Sequence, residues 1–131
     1  MKVLALDYGS ARTGVAVSDP SGTLARPVGI VERARTKEGR RLLLELIERE
    51  GPERVVVGLP LTLRGARGEQ ARETETFVEE LRAAVGVPVE TWDERFTTAL
   101  AARSAGDAAE DARAAAHLLS SWLEWKSRAK A

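Results

Sequence analysis

The sequence predicts an α/β fold: one mixed five-stranded sheet, three antiparallel strands followed by two parallel ones, flanked by helices. Three observations predict it. Up to Val31 the chain holds three short apolar runs joined by brief links, the pattern of an antiparallel meander. From Thr36 onward helix-like and strand-like segments alternate, which implies parallel crossovers. With 131 residues the chain can bury a core of its own, so residues 1–131 read as a single domain with 126–131 as a flexible tail.

The elements follow in order. Val3 to Leu6 is a short apolar strand that ends in Asp7, with turn residues Tyr8-Gly9-Ser10 behind it. Gly14 to Ser18 is a second strand, stopped by Asp19-Pro20-Ser21-Gly22. Leu24 to Val31 is a third; Pro27 inside it lacks an amide proton, which makes it an edge strand or a bulged one. Thr36 caps a helix that runs to Glu50 with Leu43, Leu46 and Ile47 on one face, and Gly51-Pro52 stops it. Val55-Val56-Val57 has the continuous apolar character of a strand buried on both faces. A turn-rich loop from Gly58 to Gly68 leads to a helix with a stripe of Thr74, Phe77, Val78, Leu81 and Val85, ended by Gly86. Val87 to Trp92 is the fifth strand. Thr97 or Thr98 caps an Ala-rich helix to about Ser104, and a last helix covers Ala108 to Lys126 with Ala112, Ala115, Leu119, Trp122 and Leu123 on one face.

Composition removes several chemistries. Cysteine is absent, so disulfides, thiol nucleophiles and thiolate zinc sites are excluded. His117 is the one histidine, which excludes a multi-histidine metal site and makes a Ser-His-Asp triad implausible. Any metal must then be held by carboxylate oxygens, the preference of hard ions such as magnesium or manganese. Lys plus Arg and Asp plus Glu both total 20, so net charge alone gives no affinity for nucleic acid. The charge is uneven, however: residues 1–68 carry twelve bases against eight acids, and residues 69–131 carry eight against twelve. No apolar run approaches the length of a membrane span, and the early residues do not resemble a signal peptide, so a cytoplasmic location and no membrane partner are expected.

Three acidic positions stand out. Asp7 ends an apolar strand, where open α/β sheets bind ligands; a turn aspartate is the plainer alternative. Asp93-Glu94-Arg95 ends the last strand in the same way, and parallel strands would bring Glu94 near Asp7; a solvated loop would look alike. Asp111, near the start of the last helix, shares a face with Ala115 and Leu118, although an acid there also suits the helix dipole. Three carboxylates from separate elements suit a pair of divalent cations, which can activate water against a phosphodiester. Arg12 in the turn between the first two strands, Arg95 next to Glu94, and Arg64 and Arg67 in the Gly-rich loop after the valine strand are candidate phosphate contacts. Trp122 and Trp125, at helical spacing, are read as packing residues.

The segment from Asp7 to Asp19, Asp7-Tyr8-Gly9-Ser10-Ala11-Arg12-Thr13-Gly14-Val15-Ala16-Val17-Ser18-Asp19, resembles the opening motif of the YqgF family. Three more blocks agree in order: Val57-Gly58-Leu59-Pro60-Leu61, Asp93-Glu94-Arg95-Phe96-Thr97-Thr98, and Asp111 with Ala114-Ala115, Leu118-Leu119 and Trp122-Leu123. The family comprises Holliday-junction-resolvase-like proteins, also described as nucleases that mature the 5′ end of pre-16S ribosomal RNA. The resemblance implies an RNase H-like fold and a metal-dependent phosphodiesterase site. Asp7, Glu94 and Asp111 are implied as catalytic residues holding two Mg²⁺ or Mn²⁺ ions, with Asp93 as a helper ligand. Two departures stand beside it: Gly106–Glu110 lacks the base that members often carry there, and Thr62 stands where many have Asn.

The implied partner is nucleic acid, structured or single-stranded RNA or branched DNA, together with ribosome-assembly factors. The chain is expected as a monomer or weak dimer. A Holliday-junction resolvase is the first alternative, and it needs two dyad-related sites. A non-catalytic nucleic-acid or ribosome-assembly binding module is the second. An actin-like or sugar-kinase ATPase would need a second Asp-x-Gly lobe, which the sequence lacks.

Overall fold

The strands form one sheet in the order β3-β2-β1-β4-β5. They are β1 (Val3–Asp7), β2 (Arg12–Ser18), β3 (Ala25–Glu32), β4 (Arg54–Leu59) and β5 (Val89–Asp93). β1 pairs antiparallel with β2 and β2 with β3, whereas β4 runs parallel to both β1 and β5, as the element order predicts. The protein is described as a computed structural model covering residues 1–62, 64–97 and 108–130. The helices are α1 (Lys37–Glu50), α2 (Glu69–Ala84) and α3 (Ala108–Lys130).

Strand alternation divides the core between two faces. Leu4 and Leu6 of β1 join Val15, Val17, Val55 and Val57 on one face, covered by Leu43 and Ile47 of α1 and by Phe77, Val78 and Leu81 of α2. Val3 and Ala5 join Ala16, Val56 and Trp92 on the other, covered among the described residues by α3 through Ala115, Leu118, Leu119, Trp122 and Leu123. β1 is central and buried along its whole length, which explains its uninterrupted apolar run.

Local signals act where the sequence puts them. Thr36 accepts a hydrogen bond from the Gly39 amide at 3.1 Å and starts α1. Gly51, in the left-handed region at φ 61°, ends it and donates to the Ile47 carbonyl at 2.9 Å. β3 is an edge strand, and it is bulged too: Pro27 lies opposite Ala16 and Gly29 opposite Val15, so Val28 is the extra residue.

Some boundaries differ from the sequence reading. β2 starts at Arg12, not Gly14, because its ladder to β3 continues as far as Glu32. α2 ends at Ala84, and Val85 is already extended. β5 begins at Val89: Pro88 has no amide to give the ladder, although its carbonyl accepts from Val55 at 2.9 Å. α3 continues past Lys126 to Lys130, supported by an Arg128–Glu124 ion pair at 2.6 Å one turn apart. The helix expected from Thr97 or Thr98 to Ser104 lies outside the described residues except for Thr97. That residue closes a 3₁₀ turn, Glu94–Phe96, by donating its amide to the Glu94 carbonyl at 3.0 Å.

Candidate active site

Asp7 is the last residue of β1, on the face covered by α3, and is 3% exposed. Its neighbours in the sheet are both glycines. The antiparallel ladder pairs it with Gly14. The parallel ladder pairs Leu6 with Val57, so its next step sets Asp7 beside Gly58. A Cβ at position 14 would collide with the backbone carbonyl of Asp111. A Cβ at position 58 would collide with the Leu118 side chain and stand 2.6 Å from Glu94 Oε1. The missing side chains are thus what admit the start of α3 on one flank of Asp7 and the Glu94 carboxylate on the other.

The other two acids arrive on separate elements. Glu94 opens the 3₁₀ turn directly after β5 and is half-buried. Asp111 lies in the first turn of α3, where an acid complements the helix dipole, and is 7% exposed. Arg12 Nε stands 3.0 Å from Asp111 Oδ2. Asp7 is thus flanked at the carboxyl ends of the central strands, by the Asp111 backbone across Gly14 and by the Glu94 side chain across Gly58.

The remaining candidates divide. Arg12 is the first residue of β2, not a turn residue, and it reaches across to Asp111. Asp93 belongs to the opposite side of the strand from Trp92 and is held by Arg95. Its Oδ1 accepts the Arg95 amide at 3.0 Å, and Arg95 Nη2 lies 2.6 Å from Oδ2. That hydrogen bonding holds the Asp93 carboxyl below the usual carboxylate range. The basic loop folds over the same arginine: at Gly65, where φ is +82°, a Cβ would lie 3.2 Å from Arg95 Nη1. Arg64 is exposed in this loop, whereas Arg67 is drawn to Glu75 at 2.9 Å.

Sequence reasoning missed three features. Gly58 is expected to open a turn-rich loop; it lies inside β4, and the Glu94 and Leu118 side chains fill the space beside it. Gly14 drew no attention, although its position across the hairpin from Asp7 was a usable signal. Trp122 packs as expected at 1% exposure, but Trp125 is 49% exposed and not a core residue.

The donor set fits a hard divalent cation, since all three side chains offer carboxylate oxygens and two of them are buried. As they stand, no three acids among the described residues are grouped closely enough to enclose an ion. Asp111 is turned to Arg12, whose guanidinium supplies the positive charge there.

A family model described as "RuvX: Holliday junction resolvase" matches residues 1–125. A Syntrophomonas wolfei protein named "Putative pre-16S rRNA nuclease" is 35% identical over 139 residues, covering 99% of each chain. A Rhodococcus erythropolis protein of the same name is 41% identical over 141 residues, 96% of this chain and 79% of its own. One from Desulforudis audaxviator is 44% identical over 99 residues, 76% of this chain and 70% of its own. Among solved structures, Thermus thermophilus RuvC in complex with a Holliday junction substrate aligns with a TM-score of 0.63 at 22% identity, over 97% of this chain and 96% of that one. The fowlpox virus Holliday junction resolvase aligns at 0.55 and 13% identity, over 95% and 99%. At such identities the likeness shows the fold, which is RNase H-like.

Proposed function

The chain belongs to the RuvX family of Holliday-junction-resolvase-like nucleases, and from that premise we propose a metal-dependent nuclease that processes the 5′ end of pre-16S ribosomal RNA. The observation that carries the chemistry is the pair of glycines beside Asp7, which leave room for Glu94 and Asp111 above it. The substrate rests on the name carried by curated relatives, one of which matches this chain end to end. That substrate would place the reaction in the cytoplasm, among precursor ribosomal particles and their assembly factors.

In this reading Asp7, Glu94 and Asp111 hold Mg²⁺ or Mn²⁺, two ions by the usual logic of phosphodiester hydrolysis. The bound metal supplies Lewis-acid polarisation of the phosphate and an activated water. Asp7 contributes a carboxylate fixed by the most buried strand of the sheet. Glu94 is positioned by the 3₁₀ turn, which Asp93 caps and Arg95 clamps. Arg12 balances the charge of Asp111 and stands where a phosphate of the bound strand would pass. Arg95 and Arg64 line the loop side of the site as further phosphate contacts, and Arg67 would serve only after leaving Glu75.

The test is cleavage of two labelled substrates, a 5′-extended ribosomal RNA precursor and a four-way DNA junction, with Mn²⁺. The expected result is RNA trimming that falls at least about a hundredfold in Asp7→Asn, the scale of losing one electrostatic group at a reacting centre. Paired symmetric cuts in the junction would instead favour the resolvase reading, which the family description supports. If neither substrate is cut, the non-catalytic binding role takes its place.

A further inference from the structure

We propose that the groove between β5 and the second half of α3 is a stacking site for unpaired bases of the substrate strand. The proposal rests on the nuclease reading and extends it from the cut phosphate to the bases beside it. The groove has a volume of about 700 Å³. Trp92, Phe96 and Trp125 form its aromatic wall. Trp92 lies 5.5 Å from Trp125 and 5.7 Å from Phe96, between ring centroids, with both pairs steeply inclined.

Core packing accounts for Trp92 but not for Phe96 and Trp125. Trp122, one turn earlier on α3, is 1% exposed and fills the core, whereas Trp125 is 49% exposed and Phe96 58%. Half-exposed rings at the rim of a groove have faces to offer a flat ligand.

Position selects that ligand. Glu90, Trp92 and Glu94 alternate along β5 and its exit on the side facing α3, so two of the groove's lining residues share a strand face with Glu94. Phe96 is two residues beyond Glu94. A strand bound with one phosphate at Glu94 reaches the rings when it continues toward Phe96 and the second half of α3. Bases in a duplex are already stacked on one another, so only unpaired bases can use the rings.

Charge permits it. Glu90 is engaged by Trp122 Nε1 at 2.6 Å and by Arg54 Nη1 at 2.7 Å, and Glu124 by Arg128 at 2.6 Å. Two cations approach the ring faces: Arg95 lies 5.9 Å from the Phe96 centroid and Lys126 6.0 Å from that of Trp122. Neither acid lining the groove is therefore left to repel a polyanion on its own.

The experiment measures binding of a short labelled single-stranded RNA, and of the same RNA as a duplex, by fluorescence anisotropy in EDTA so that nothing is cut. Trp125→Ala and Phe96→Ala are expected to weaken single-strand binding about tenfold or more. Trp125→Tyr, which keeps a ring, should restore most of it, and duplex binding should change little in all three. Unchanged single-strand binding in Trp125→Ala overturns the proposal. So does an equal loss for duplex, which would mean general damage. Sedimentation showing a wild-type dimer that Trp125→Ala dissociates would overturn it too, by making the groove an interface between copies. The two readings fail separately: cleavage that survives Asp7→Asn sinks the carboxylate site, while an unchanged Trp125→Ala affinity sinks only the stacking site.

Discussion

Under α1 and α2 the sheet presents Leu4, Leu6, Val15, Val17, Val55 and Val57; under α3 the same strands present Val3, Ala5, Ala16 and Val56, and then Gly14, Asp7 and Gly58. The first surface is made of large side chains and is met by two helices. The second shrinks toward one end, and a single long helix comes down onto it until its first turn touches the sheet backbone. The contrast separates a face built for burial from a face that makes room for acidic side chains. Bulk on one side supplies burial, and the removal of bulk on the other lets charged groups gather over a strand end without unfolding the rest.

That division can be broken at three points. The largest expected effect lies on the bulky face. Leu4→Ala should cost about 2–5 kcal/mol in urea denaturation, because the fully buried site around it cannot collapse. Its cleavage rate per folded molecule should stay at the wild-type value. A parallel loss of rate would show that the two faces are coupled. Next comes Gly58→Ala, which should cost about 1–3 kcal/mol through overpacking against Leu118. Unlike Leu4→Ala, it should also lower cleavage, since its methyl group takes the place of the Glu94 carboxylate.

The smallest effect is a pH dependence confined to the α1–α2 side. Tyr8 stacks on Phe77 with centroids 4.5 Å apart and donates to Glu73 Oε1 at 2.8 Å. Burial first, then the Glu73 contact, pushes its hydroxyl from 10.0 up to about 12. The folded state thus favours the protonated phenol. Its contribution is fully present below the unfolded value of 10.0 and is lost as pH rises toward about 12. Denaturation midpoints across that interval should fall more steeply for wild type than for Tyr8→Phe. Equal slopes would remove Tyr8 as the cause.

Much of this architecture was legible in the residues themselves. The apolar run before Asp7, the valine triplet of β4 and the stripe on α3 each reported burial through their own periodicity. The three acids could be singled out because each followed or opened such an element. What sequence could not show was the choice of partners. Nothing in the sequence marks Asp111 as a partner of Arg12, or Asp93 as a partner of Arg95. Which acid each reaches depends on which side of its strand it leaves and on how closely α3 lands. Trp125 departs from its expected packing role for a related reason: a step of three residues along α3 carries it from the core seam of Trp122 to the rim. The residues from Thr98 to Asp107 lie outside the described structure, so the expected Ala-rich helix there has no counterpart to compare.

The way α3 covers its face also has a consequence for synthesis. The antiparallel strands β1 to β3 make local contacts and can pair early, while β4 and β5 must wait for their crossovers to close. Asp7 belongs to the first strand, and Asp111 to a helix translated after every strand. A growing chain therefore carries Asp7 long before it has anything to place above it. On a ribosome such a chain would expose Val3, Ala5, Ala16 and Val56 until α3 docks. The arrival of Asp111 beside Gly14 and the burial of that surface are one event, so a chain cut short before α3 would be adhesive.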